Sequence, residues 1–175
     1  MRKQTEPSAK TSAASPYCAD AAAGPMKLAE ALNLRADIKK YIAQLGERLT
    51  LNSKVQEGEK PSEDPYKLLN ALNSATAELE TLIRRINRTN CVTAYNGETI
   101  TDMLARKDAL SLKNALLRTF LSHASNKTDR YSLKEIRLIS TVDVEALQKT
   151  VDETAQELRR LDTQIQMLNW ATDLT

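Results

Sequence analysis

Between residues 144 and 168 the apolar side chains fall at Val144, Leu147, Val151, Ala155, Leu158, Leu161, Ile165 and Leu168, in steps of three and four throughout. That spacing draws one narrow stripe down a helix, close to the seven-residue period of a coiled-coil seam. At 1.5 Å per residue such a helix is roughly 37 Å long. One stripe of that length cannot be buried without partners, so the rest of the chain must supply helices of similar length.

Three other segments do so. After Pro25, residues 26–50 keep the same spacing through Ala31, Leu34, Ile38, Ile42, Leu45 and Leu49, with Gly46 inside the pattern. The segment 52–65 breaks the pattern with two prolines, a glycine and four acidic residues. It reads either as a solvated surface loop or, being long for a bundle connection, as a binding loop. Asp64 followed by Pro65 is a good start for a second helix over 65–88, with Leu69, Leu72, Ala75, Leu79, Ile83 and Ile86 facing inward. Arg84, Arg85 and Arg88 would then oppose the negative end of its dipole. Asn96-Gly97 between two short β-compatible runs signals a hairpin near 90–100.

Thr99 with Asp102, or Thr101 alone, can cap a third helix over 101–123. It carries two apolar lines, Leu104, Leu110, Leu117, Leu121 and Ala124 on one side and Ala109, Leu112, Leu116 and Phe120 on another. A helix with two apolar faces is either central in its domain or shared with another subunit. Residues 132–141 permit a short helical turn or extended chain, and Thr141 or Asp143 caps the last helix over 142–170. The fold class expected is therefore all-α, an antiparallel four-helix bundle with long helices and a small inserted β-hairpin. Residues 1–25 lack helical or strand periodicity and are expected to form a disordered tail ahead of a bundle domain at 26–175. Met26 is a candidate natural start.

Composition narrows the function classes. Charged residues make up 27% of the chain, yet the net charge is only +2, so the basic surplus of a nucleic-acid binder is missing. No apolar run approaches a membrane span. Cys18, Cys91 and the lone His123 form no metal-ligand pattern, and two free thiols suggest a reducing, cytoplasmic setting. Asn87 and Asn126 stand in glycosylation-like triplets but no secretory leader accompanies them. Gly-rich phosphate loops, HExxH and GxSxG are absent, and Phe120 occupies the position where a Glu-x-x-His di-iron motif would need its carboxylate. No cofactor or metal is expected, and the chain leans away from an enzyme.

Candidate ligand groups lie at helix ends and loops: Gln56 and Glu57 in the long loop, Asn87, Thr89 and Asn90 at the end of the second helix, and Arg130, Tyr131 and Glu135 ahead of the last. Amide, carboxylate and guanidinium groups together can hold a polar small molecule, with the sets meeting across a subunit boundary. The competing reading is that they satisfy helix termini and loop backbone.

The pieces MKLAEALNLRAD, KVQEGEKPSEDP, INRTN, TITDMLARKDAL, DRYSLKEI, STVDVEALQKTVD and LDTQIQMLNWATDL, in this order over 26–174, resemble a group of small bacterial helical proteins labelled septicolysin. The resemblance implies a self-associating cytosolic protein, with a hexamer as one candidate stoichiometry, and no established catalytic residue. The pore-forming activity that the label suggests sits badly with a chain holding one Trp and no alternating strands for a barrel. The expectation is a self-assembling structural or binding protein that engages neither nucleic acid nor membrane.

Overall fold

Four long helices and one two-stranded ribbon make up the computed structural model, which describes residues 25–126 and 139–175. In chain order these are α1 (Leu28–Leu51), α2 (Pro65–Val92), β1 (Ala94–Tyr95), β2 (Glu98–Thr99), α3 (Ile100–Ser125) and α4 (Val144–Ala171). The protein is an all-α helical bundle with a small β insert. Its helices divide into two compact units, one running to Ile86 and regaining Asp173–Thr175, the other spanning Asn87–Thr172.

In the first unit α1 opens at Lys27, whose backbone N–H donates to Glu30 Oε2 at 2.8 Å. Leu28, Ala31, Ile38 and Leu45 lie fully buried along one face, as a helix with repeats of three, four and seven requires. The helix ends at Asn52, whose side-chain amide donates to the Arg48 carbonyl at 2.9 Å and accepts the Glu63 N–H at 3.0 Å. Both ends of the loop at 52–64 are thereby tied to one side chain. Arg48 completes the closure by forking onto the Glu63 carboxylate, with Nε 2.9 Å from Oε2 and Nη2 on Oε1. That hydrogen-bonded pair holds Glu63 below the usual carboxylate range and raises Arg48.

Asp64 starts α2 as its sequence suggests, accepting the Tyr66 N–H at 2.9 Å. The helix runs back along α1: Leu68 and Ala71 share a cleft with Tyr41 and Leu45, while Ala77 and Leu82 share another with Leu34 and Ile38. Asp173 then makes a β-bridge with Lys27, and the Leu174 N–H donates to the Met26 carbonyl at 2.8 Å. Lys27 Nζ lies 2.6 Å from Asp173 Oδ1, and Leu174 is buried.

In the second unit the last turns of α2 carry the fully buried Thr89, and the Thr93 N–H donates to the Thr89 carbonyl at 2.9 Å. Ala94 pairs with Thr99 and Tyr95 with Glu98 in antiparallel register. Asn96 and Gly97 take φ of 53° and 84°, the left-handed pair that a two-residue hairpin needs to match the strand twist. Thr99 and Asp102 cap α3 reciprocally, with the Asp102 N–H donating to Thr99 Oγ1 at 3.1 Å and the Thr99 N–H donating to Asp102 Oδ2 at 3.1 Å. Helix α3 packs along α4, and an ion pair of Lys107 with Asp162 joins them. Asp143 caps α4, accepting the N–H groups of Glu145 and Ala146 at 2.9 and 3.1 Å.

Several expectations need correction. Helix α2 extends to Val92 rather than 88, so Arg84, Arg85 and Arg88 are not its last turn. Arg84 instead pairs with Glu80 at 2.6 Å. Val92 is helical and Ile100 begins α3, which shortens the ribbon to two residues a side. Leu69 was expected inward, yet the deep positions on α2 include Leu68 and Leu82 while Leu69 is exposed. Of the tail expected over 1–25 and the ambiguous stretch at 132–141, residues 1–24 and 132–138 lie outside the described residues.

Candidate functional site

The polar groups marked from sequence fall into three sets. Gln56 and Glu57 are exposed in the loop at 52–64, where the Glu59 N–H donates to the Gln56 carbonyl at 3.0 Å. Gly58 at φ 91° sits inside this turn, a backbone angle that L side chains rarely adopt. Asn87, Thr89 and Asn90 share the last turns of α2, with Asn87 exposed, Asn90 half-buried and Thr89 fully enclosed. The loop set belongs to the first unit and the α2 set to the second. Arg130, Tyr131 and Glu135 lie outside the described residues. Among the described residues no group of three or more His, Cys, Asp or Glu is placed to hold a metal ion.

Helix α3 separates its two apolar lines cleanly. Leu104, Leu110, Leu117, Leu121 and Ala124 are half-buried, while Leu112, Leu116 and Phe120 are 64%, 63% and 48% exposed. Steps of four residues put these three side chains on one side of the helix. Ala105 and Ala109 are also exposed on the preceding turns, leaving a narrow uncovered stripe whose small residues lie toward the helix start.

A second feature escaped the sequence reading. In the first unit α1 and α2 border an open cleft of about 380 Å³, lined chiefly by Met26, Leu34, Ile38, Glu78, Leu82 and Arg85. Glu78 Oε2 is shielded from solvent and has no hydrogen-bond partner among the described residues. A signal for it existed: Ala71, Ala75, Glu78, Leu82 and Arg85 follow in steps of four and three. That places a carboxylate on the same line as buried Ala75 and Leu82.

Residues 35–174 match the family described as "Family of unknown function (DUF6847)". The chain belongs to this family. A DUF6847 chain of this kind also resembles a solved structure, described as the crystal structure of a functionally unknown conserved protein from Corynebacterium diphtheriae. The two are 40% identical with a TM-score of 0.81, over 87% of this chain and 100% of that one. No curated protein matches. The bacterial relative fixes the fold of this DUF6847 member and leaves its chemistry to be argued from its own side chains.

Proposed function

We propose that this protein is a self-assembling helical structural or binding protein of the bacterial cytoplasm, whose copies meet along the outer face of α3. The observation that carries this reading is the stripe of Leu112, Leu116 and Phe120, exposed on a helix whose opposite line already packs. Burying such side chains is worth roughly 1.5–3 kcal/mol each, against an association cost of about 4–15 kcal/mol. Two copies meeting on this face bury six of them, roughly 9–18 kcal/mol, which reaches the roughly 8 kcal/mol of a micromolar complex once an association cost near the lower end of that range is met, so the expected assembly is reversible. The resemblance to septicolysin-labelled proteins supports self-association and is itself part of the proposal. Lysis draws no support from the helices: none among the described residues is long and apolar enough to cross a membrane.

Sedimentation equilibrium across the micromolar range tests the proposal. The wild-type chain is expected to show a mass above that of one copy, rising with concentration. The double variant Leu112→Lys/Leu116→Lys should sediment as a single copy with an unchanged melting temperature, because both positions face solvent within one chain. A wild-type protein that stays monomeric throughout would overturn it, as would a double variant that assembles as well as the parent.

A further inference from the structure

The exposed stripe on α3 is tapered, and the taper bears on how a second copy would lie against it. In order along the helix it reads Ala105, Ala109, Leu112, Leu116 and Phe120, all exposed, with small side chains at one end and large ones at the other. The midpoint of Ala105 and Phe120 coincides with the midpoint of Ala109 and Leu116, between Leu112 and Lys113. Two such helices laid antiparallel about that midpoint bring Phe120 of each copy onto Ala105 of the other, and Leu116 onto Ala109, with the two Leu112 side chains meeting at the centre. Each outer layer then pairs a large residue with a small one, and the helix axes stay evenly spaced over a contact roughly 22 Å long. A parallel contact would set Phe120 on Phe120 and Ala105 on Ala105, wedging the helices apart at one end and leaving a void at the other. Polarity agrees at the ends of the antiparallel contact, where the exposed Asp102 carboxylate falls level with the exposed His123 imidazole of the other copy, an acceptor beside a donor. Exposed Lys113 approaches its own counterpart beside the midpoint, a like-charge contact that salt screens and that helps keep the assembly reversible.

We propose that two copies meet through α3 in an antiparallel, two-fold contact of this register, the Ala105 and Ala109 turns of each receiving Phe120 and Leu116 of the other. The inference rests on assembly through the outer face of α3 and adds its symmetry and register. A two-fold contact uses both stripes at once and closes the assembly as a pair, so a larger assembly would be built from such pairs through other surfaces.

Cysteine cross-linking in a Cys18→Ser/Cys91→Ser background, with copper-phenanthroline as oxidant, tests the register. Leu112→Cys is expected to link to itself. Ala105→Cys and Phe120→Cys should each stay unlinked alone, and should link to one another once the two variants are mixed and have exchanged copies. Ala105→Cys linking to itself, or no linkage in the mixture, overturns the register even where sedimentation still shows assembly. A wild-type chain that sediments as a monomer overturns the assembly itself. Exchanging the large and small positions gives an independent reading. Ala109→Leu should weaken association at least about tenfold, the effect of an overpacked contact. Adding Leu116→Ala should bring it back to within about threefold of wild type. Both positions are exposed, so neither change should move the melting temperature of the single copy. A double variant that associates no more tightly than Ala109→Leu alone overturns the pairing.

Discussion

Gly46 occupies a helical position in α1 where an added Cβ would meet nothing within 4 Å. Glycine there brings only its entropic disadvantage, about 1 kcal/mol relative to alanine inside a helix. Gly46→Ala should therefore stabilise the protein by about that amount, a rise of roughly 2–4 °C in a chain of this size. Differential scanning calorimetry reads it directly, and a lower midpoint would mean that the position is not the open helical site described. Gly97 is the opposite case, because its φ of 84° is needed by the hairpin and alanine there would be strained. The same residue type thus carries contrary consequences in one chain, and only the backbone distinguishes them. Glu78 shows the matching limit for charge. Its neighbour Glu80 pairs with Arg84 in solvent, and only the longer line of Ala71, Ala75 and Leu82 says which of the two is turned inward.

Among the helices, α4 was the most legible. Val151, Ala155, Leu161, Ile165 and Leu168 are buried, and Val144, Leu147 and Leu158 half-buried, along the stripe read from spacing alone. Single apolar residues separated by polar ones leave no doubt about the face. On α2 the pairs Leu68-Leu69 and Leu82-Ile83 make two adjacent faces equally apolar, so periodicity could not choose between them. Its extension to Val92 was hidden because Asn87, Thr89 and Asn90 are indifferent helix formers, and the complete burial of Thr89 is a tertiary fact. Caps, by contrast, are local and were readable. The Thr99–Asp102 cap also sets a pH dependence for α3. Hydrogen bonds from the Thr99 hydroxyl and then its backbone N–H hold the Asp102 carboxyl below its ordinary range. A depressed folded value means the cap contributes fully above the unfolded carboxylate pKa of about 4 and is lost as pH falls through the folded value. The melting-temperature gap between wild type and Thr99→Ala should be widest near neutrality and narrow in acid. A gap that stays constant with pH would show that the carboxylate has no part in it.

On the scale of the whole molecule, length and stripe count were enough to specify four helices, because each amphipathic segment needs a partner of its own length, and the Asn96-Gly97 turn added the ribbon. The candidate site was far less legible. Gln56 and Glu57 were found by loop composition, and Asn87 and Asn90 by their place at a helix end, but composition does not say which helix ends approach each other. The uncovered stripe on α3 was visible in outline as a second apolar line, though only the exposure of Leu112, Leu116 and Phe120 shows which of the two lines lacks a partner among the described residues.

The clasp of Asp173–Thr175 on Met26 and Lys27 has a topological corollary. Since residue 174 hydrogen-bonds to residue 26, the polypeptide from 26 to 175 traces a nearly closed ring, and where that ring is cut should be largely a matter of convention. A circular permutant that joins Thr175 to Pro25 through a few glycines and opens new ends beside Gly58 should give the parent's helical circular dichroism and a cooperative melt. The incision falls in an exposed bend, the kind of site where such rewiring is best tolerated, and Asn52 with Arg48 would still hold Glu63 across the gap. Loss of the cooperative transition would mean that the order of synthesis, and not the set of contacts, decides whether this chain folds.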